Sequence, residues 1–231
     1  MFRDGEDLIY SYLETFEVVK IQKEFKIPFS LASYNHTLNT KNLTEFETKK
    51  LLPHAWKAII WSPNLDFKHF STQTYSQLTT LNLSSTNVRD LEPLKDMPIT
   101  TLDLCCTKVS DLTPLKGMQI TNLDLSDTKV SDLEPLKGMP LTTLNLSYTK
   151  VSNLESLKGM PLTTLYLSHT NVSDLEPLKG MPLTTLNLSW TKVSNLKPLK
   201  GMQLTTLDLS GTKVSNLNPL KGMPLTTLDL H

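Results

Sequence analysis

From residue 78 onward, one 21-residue phrase recurs with few changes, and this constrains the fold more than any other feature of the sequence. With Leu78 as position 1, Leu-Thr-Thr-Leu-Asn-Leu-Ser-x-Thr-x-Val-x-Asp-Leu-x-Pro-Leu-Lys-x-Met-Pro restarts at Ile99, Ile120, Leu141, Leu162, Leu183 and Leu204. Seven units run to Pro224, and an eighth begins at Leu225 and reaches His231. A unit of this length cannot bury its own leucines, and its apolar side chains do not offset the chain entropy lost on ordering it. Stacked copies cover one another, so the units fold as an array with capped ends.

Within a unit, Leu or Ile at positions 1, 4 and 6 alternates with Thr, Asn, Asp and Ser. This is the period-two pattern of a strand buried on one side. Eight parallel strands are therefore expected, 78–83 through 225–230, in one sheet on a concave face. Position 9 is always Thr, from Thr86 to Thr212. At the sharp turn after the strand, its hydroxyl is expected to satisfy buried amides in a ladder running from unit to unit. Positions 12 to 18, as in Ser131-Asp132-Leu133-Glu134-Pro135-Leu136-Lys137, suit a short 3₁₀ turn on the convex side.

The spacing LxxLxLxxTxVxDLxPLxxM over 78–231 resembles the short leucine-rich repeats of bacterial internalin-type proteins. The resemblance implies an α/β solenoid, a leucine-rich-repeat horseshoe whose task is to hold another macromolecule. Thr stands at position 9 where that family more often carries Asn, and its units are commonly a residue longer. These departures bear on curvature and ladder chemistry.

Residues 1–77 differ in character, holding all seven Phe and no repeat. Ile9, Tyr12, Leu13, Phe16 and Val19 mark an amphipathic helix that Pro28 would stop, and Thr44-x-x-Glu47 reads as a capping box for a second helix. A third apolar stretch runs from Pro53 to Trp61. The segment is expected to be a helical cap over the first unit. Leu52-Pro53, Trp56, Ile59, Ile60, Leu65 and Asp66-Phe67 loosely resemble an F-box, which would imply a substrate receptor of a ubiquitin-ligase-like complex, although the room before Leu78 is about half what that module needs.

The 23 basic and 23 acidic residues cancel, whereas nucleic-acid binders usually carry a net basic field, so no nucleic-acid partner is expected. The start, Met-Phe-Arg-Asp-Gly-Glu-Asp, lacks the basic n-region and apolar core of a secretory signal, and no apolar run is long enough to span a bilayer. No membrane association and a cytoplasmic location follow as expectations. With no convex segment after the last strand, the array is expected either to belong to a longer protein or to pair end to end with a second copy.

Catalytic and cofactor motifs are missing: there is no Walker loop or HExxH, and His36, His54, His69, His169 and His231 show no metal-ligand spacing. No enzymatic activity, cofactor or metal is expected. Cys105 and Cys106 read as ordinary free thiols. Lys95 and its equivalents at position 18 read as a solvated stripe offset by Glu at position 15, and the methionines at position 20 read as core.

Variation among the units isolates the candidate site. Position 8 runs Ser85, Cys106, Asp127, Tyr148, His169, Trp190, Gly211, and position 5 is Asn or Asp except at Tyr166. The array's aromatic residues thus gather in adjacent units at outward-facing positions, where aromatic side chains serve as interface anchors. Tyr148, His169 and Trp190 are expected in a row at strand spacing with Tyr166 beside it, and Asp127, Asn187 and Asp208 complete the candidate ligand-binding set. The function expected is non-enzymatic recognition of a protein or peptide across the concave face. Carbohydrate binding, which also uses Tyr and Trp platforms flanked by Asn and Asp, is the alternative.

Overall fold

The computed structural model describes residues 79–231. The expected helical cap, the capping box and the F-box-like stretch lie outside these residues. Eight strands, β1 (Thr80–Asn82), β2 (Thr101–Asp103), β3 (Asn122–Asp124), β4 (Thr143–Asn145), β5 (Thr164–Tyr166), β6 (Thr185–Asn187), β7 (Thr206–Asp208) and β8 (Thr227–Asp229), form one parallel sheet in chain order. The register is one repeat throughout, so Leu81 pairs with Leu102 and Leu207 with Leu228.

The strands are half the expected length, occupying positions 3 to 5 alone. Unit-to-unit bonding nevertheless continues past them: the Leu83 amide donates to Asp103 (2.8 Å) and the Ser85 amide to Cys105 (2.8 Å). Extended geometry stops early because position 8 turns left-handed, with φ between 51° and 64° in all seven units.

Return segments are built alike. Asp or Asn at position 13 accepts the amide two residues on, as in Glu134 to Asp132 (2.9 Å) and Asn218 to Asn216 (3.0 Å). That bond satisfies an amide at the mouth of each 3₁₀ turn, from Glu92–Leu94 to Asn218–Leu220, and Pro fixes φ inside every turn except that holding Ser156. Position 19 then reverses the chain at φ of 71° to 81°, which explains Gly in six units; Asp96 adopts φ 62° in the first.

Inside the coil, Leu and Ile at positions 1, 4 and 6, Val at 11, Leu at 14 and 17, and Met at 20 merge into one continuous core. Met97, Met118, Met139, Met160, Met181 and Met202 are all buried, the role expected of them. Burial fails in the last coil, where Leu217, Leu228 and Leu230 are exposed.

The threonine ladder exists, but at a different position from the one expected. Each position-9 hydroxyl donates within its own unit, to the carbonyl three residues before it: Thr86 to Leu83 (2.6 Å), Thr149 to Leu146 (2.6 Å), Thr191 to Leu188 (2.6 Å). A hydroxyl buried against its own turn reaches that carbonyl first, so it closes the turn rather than linking coils. Linking falls to position 2, where Thr100 donates to Thr79 (3.2 Å), Thr121 to Thr100 (3.1 Å), and so on to Thr226 onto Thr205 (3.1 Å). Thr149→Val should therefore remove the shorter of the two bonds that the buried Leu146 carbonyl accepts, leaving the one from the backbone amide of residue 149 (3.3 Å), and lower stability by about 0.5–1.5 kcal/mol, while Thr149→Ser keeps most of it. Chemical denaturation of the two variants checks this, and a valine variant as stable as the parent would refute the turn-closing role.

Candidate functional site

Position 8 is structurally demanding, because a left-handed backbone suits Gly, Asn and Asp and costs a bulky residue about 1–2 kcal/mol. Even so, Tyr148 (φ 59°), His169 (φ 54°) and Trp190 (φ 56°) occupy it in three successive units. Amides of these residues donate to the position-7 carbonyls of the following units, Ser168 (2.8 Å), Ser189 (3.0 Å) and Ser210 (2.7 Å). Fixed in this way, successive side chains stand one repeat apart along the ends of the strands.

The rings stack. Tyr148 and His169 have centroids 4.4 Å apart at an interplanar angle of 13°, and His169 and Trp190 are 5.6 Å apart at 11°. Tyr148 and Trp190 keep 59% and 61% of their surface exposed, so the stack projects from the fold instead of packing into it.

Gly211 follows in the same row, and a Cβ built there would lie 2.7 Å from Cδ2 of Trp190. Its missing side chain is what lets the indole lie flat over the next unit. This residue was not among the expected site residues, although it is the single glycine of the array outside position 19 and so was visible as an exception.

At position 5, Asn and Asp have a shared structural duty that explains why they interchange. Their Oδ1 accepts the amide of position 7, as in Ser84 to Asn82 (2.8 Å), Ser126 to Asp124 (2.8 Å) and Ser189 to Asn187 (2.9 Å). Tyr166 has no acceptor to offer Ser168, so the fifth unit lacks a bond that the others make. Its neighbours form two pairs directed away from it, Asn145 Nδ2 to Asp124 Oδ2 (3.0 Å) and Asn187 Nδ2 to Asp208 Oδ2 (3.0 Å). Tyr166 thus stands half-buried at the centre of Asp124–Asn145–Tyr166–Asn187–Asp208, across β3 to β7.

Of the expected site residues, Tyr148, His169 and Trp190 are brought together, and exposed Asp127 precedes them in the same row. Asn187 and Asp208 form one polar pair, and Tyr166 lies on the sheet, outside the ring stack. The Asn145–Asp124 pair is an addition that sequence reading passed over, since only the structure shows these amides turned away from Tyr166.

Cys105 and Cys106 are free, with sulfurs 3.1 Å apart. Their hydrogen bond, with loss of solvent and the nearby Asp127 carboxylate, pushes the Cys106 thiol up to about 12, the opposite of what a nucleophile requires. Among the described residues no group of three or more His, Cys, Asp or Glu is placed to hold a metal ion, and no helix is long and apolar enough to cross a membrane.

No family model matches the chain, and no curated protein does. Solved structures do. Internalin C2 from Listeria monocytogenes is 31% identical, with a TM-score of 0.67 over 69% of this chain and 74% of that one. Internalin F from the same organism is 26% identical, with a TM-score of 0.64, and this chain spans half its length. TLR13, solved in complex with ssRNA13, is 22% identical at a TM-score of 0.59 and covers 85% of this chain, a likeness of fold. With the repeat, the parallel sheet and the identity to internalin C2 in agreement, the chain belongs to the internalin-type leucine-rich-repeat family.

Proposed function

We propose that this array is a recognition module that docks a protein or peptide on the outer face of its sheet, around Tyr148, His169, Trp190 and Tyr166, with Asp127, Asn187 and Asp208 at the margins. The observation that carries the reading is that three large rings are held at left-handed positions, where neutral drift would favour small residues. Tyr166 adds weight, because its unit forgoes a hydrogen bond that an Asn or Asp would supply.

Protein side chains suit this surface better than sugar rings do. A sugar platform spreads open aromatic faces over several residues, whereas here His169 is covered on both sides, Trp190 lies between His169 and Gly211, and Tyr148 alone keeps one face open. The stack presents edges, the phenol hydroxyl and the indole N–H, which are groups that hydrogen-bond to a partner's backbone and side chains.

Affinity capture with the intact chain beside Trp190→Ala tests the proposal. Loss of the captured protein by about tenfold or more supports it, and undiminished capture overturns it. A companion variant, Tyr166→Asn, should restore the acceptor for Ser168 and raise stability by about 0.5–1.5 kcal/mol while weakening capture. Thermal unfolding reads the first effect, and a fall in stability would remove Tyr166 from the argument.

A further inference from the structure

The chain's neutral total conceals a separation of charge. Among the described residues, positions 2 to 8 of the units, which are the strands and the residues leading into and out of them, hold Asp103, Asp124, Asp127, Asp208 and Asp229 and no Lys, Arg or Glu. All fourteen basic residues sit at positions 10 to 18, with the remaining nine acidic ones on positions 13, 15 and 19. The two ion pairs among these residues, Lys95–Glu92 and Lys137–Glu134, also lie on the return segments. The face carrying the aromatic stack therefore bears acidic side chains and no Lys or Arg, while the return segments taken together carry an excess of basic residues.

Three of the five carboxylates lie in the two units before Tyr148. Asp127 precedes Tyr148 in the row, its amide donating to Ser147 (2.9 Å), while Asp103 and Asp124 are paired across adjacent strands. Burial, and then the like charge of Asp124, push the Asp103 carboxyl up against the opposing Cys105 amide. Tyr148 is also the one ring of the stack with a face not covered by another ring or by Gly211. An exposed aromatic face beside carboxylates is a setting in which a guanidinium gains both cation–π attraction and a charged hydrogen bond.

We infer that the partner docked on this sheet presents a basic surface, with an arginine side chain lying over the open face of Tyr148 against Asp127. This rests on the sheet being the docking face and adds the chemistry of what docks there. It also separates protein from nucleic acid on this face, since phosphates would meet carboxylates and no Lys or Arg.

The fold supplies a clean control. Asn82, Asn145 and Asn187 already make the position-5 bond with an amide oxygen, so Asp103→Asn and Asp124→Asn remove charge and keep the turn, the second giving up the bond from Asn145 Nδ2. Asp127→Asn is equally mild, because Asn tolerates a left-handed backbone. Random peptides displayed on phage are selected on the full chain, and those that still bind Trp190→Ala are discarded. A single-stranded RNA oligonucleotide is assayed alongside.

The expected result is Trp190-dependent peptides enriched in Arg, bound about tenfold more weakly by the triple Asn variant at ~0.1 M salt, with the difference closing near ~1 M as screening shortens. Trp190-dependent peptides without basic enrichment, or bound equally by the triple variant, overturn this inference and leave the docking face standing. If no peptide depends on Trp190, or if the RNA binds in a Trp190-dependent way, both readings fall.

Discussion

Leu165→Ala is expected to lower the unfolding free energy by about 2–5 kcal/mol, and Leu228→Ala, the same change at the same repeat position, by less than about 1 kcal/mol. Leu165 is fully buried at the centre of the sheet, while Leu228 is 40% exposed at its end. The removed atoms are identical, so the difference isolates the cavity and contact contributions of neighbouring coils. Coils that contact mainly their neighbours also predict a change in cooperativity, because a weak central unit can uncouple the two halves of a linear array. Denaturant unfolding followed by far-ultraviolet circular dichroism should show a shallower or two-step transition for Leu165→Ala. Equal losses at the two sites would mean that stability is not set by stacking.

Gly211→Ala is expected to cost about 1.5–3 kcal/mol, an unusual penalty for a single methyl at an exposed position. About 1–2 kcal/mol comes from the left-handed backbone, and about 0.5–1 kcal/mol from displacing the exposed indole off its stack, since the new Cβ would approach it to 2.7 Å. Combining the change with Trp190→Ala separates the two contributions. In that background the steric part disappears and only the backbone part remains. Trp190 emission should also shift as the ring is forced off the next unit. Additive losses in the double variant would show that the ring does not rest on Gly211.

Both predictions rest on features unequally legible in the sequence. The solenoid, the parallel order and the core were readable because each follows from a side-chain period repeated seven times. Hydrogen-bond assignments were not. Thr at position 9 and Thr at position 2 are equally invariant, and only the depth of the first and the edge placement of the second decide which closes a turn and which joins coils. Likewise, the composition of position 8 marked it as variable, but nothing in Ser, Cys, Asp, Tyr, His, Trp and Gly announces a left-handed backbone. Five of the seven are not residues that favour it, and that mismatch is what gives the aromatic row its weight.

The left-handed turn at position 8 has a consequence for how such a surface can change. Its amide is committed to the next unit and its side chain leaves the coil, so each coil contributes one slot whose occupant answers to its neighbours in the row, as Gly211 does to Trp190, and not to the core. Loss or gain of one whole unit moves the occupants along the row and leaves the register intact, while loss of a single residue would turn the leucines of a strand outward. The array therefore behaves as an ordered string of interchangeable letters on a fixed page. Duplication lengthens the string, point substitution rewrites one letter, and a new binding preference can arise without a new fold.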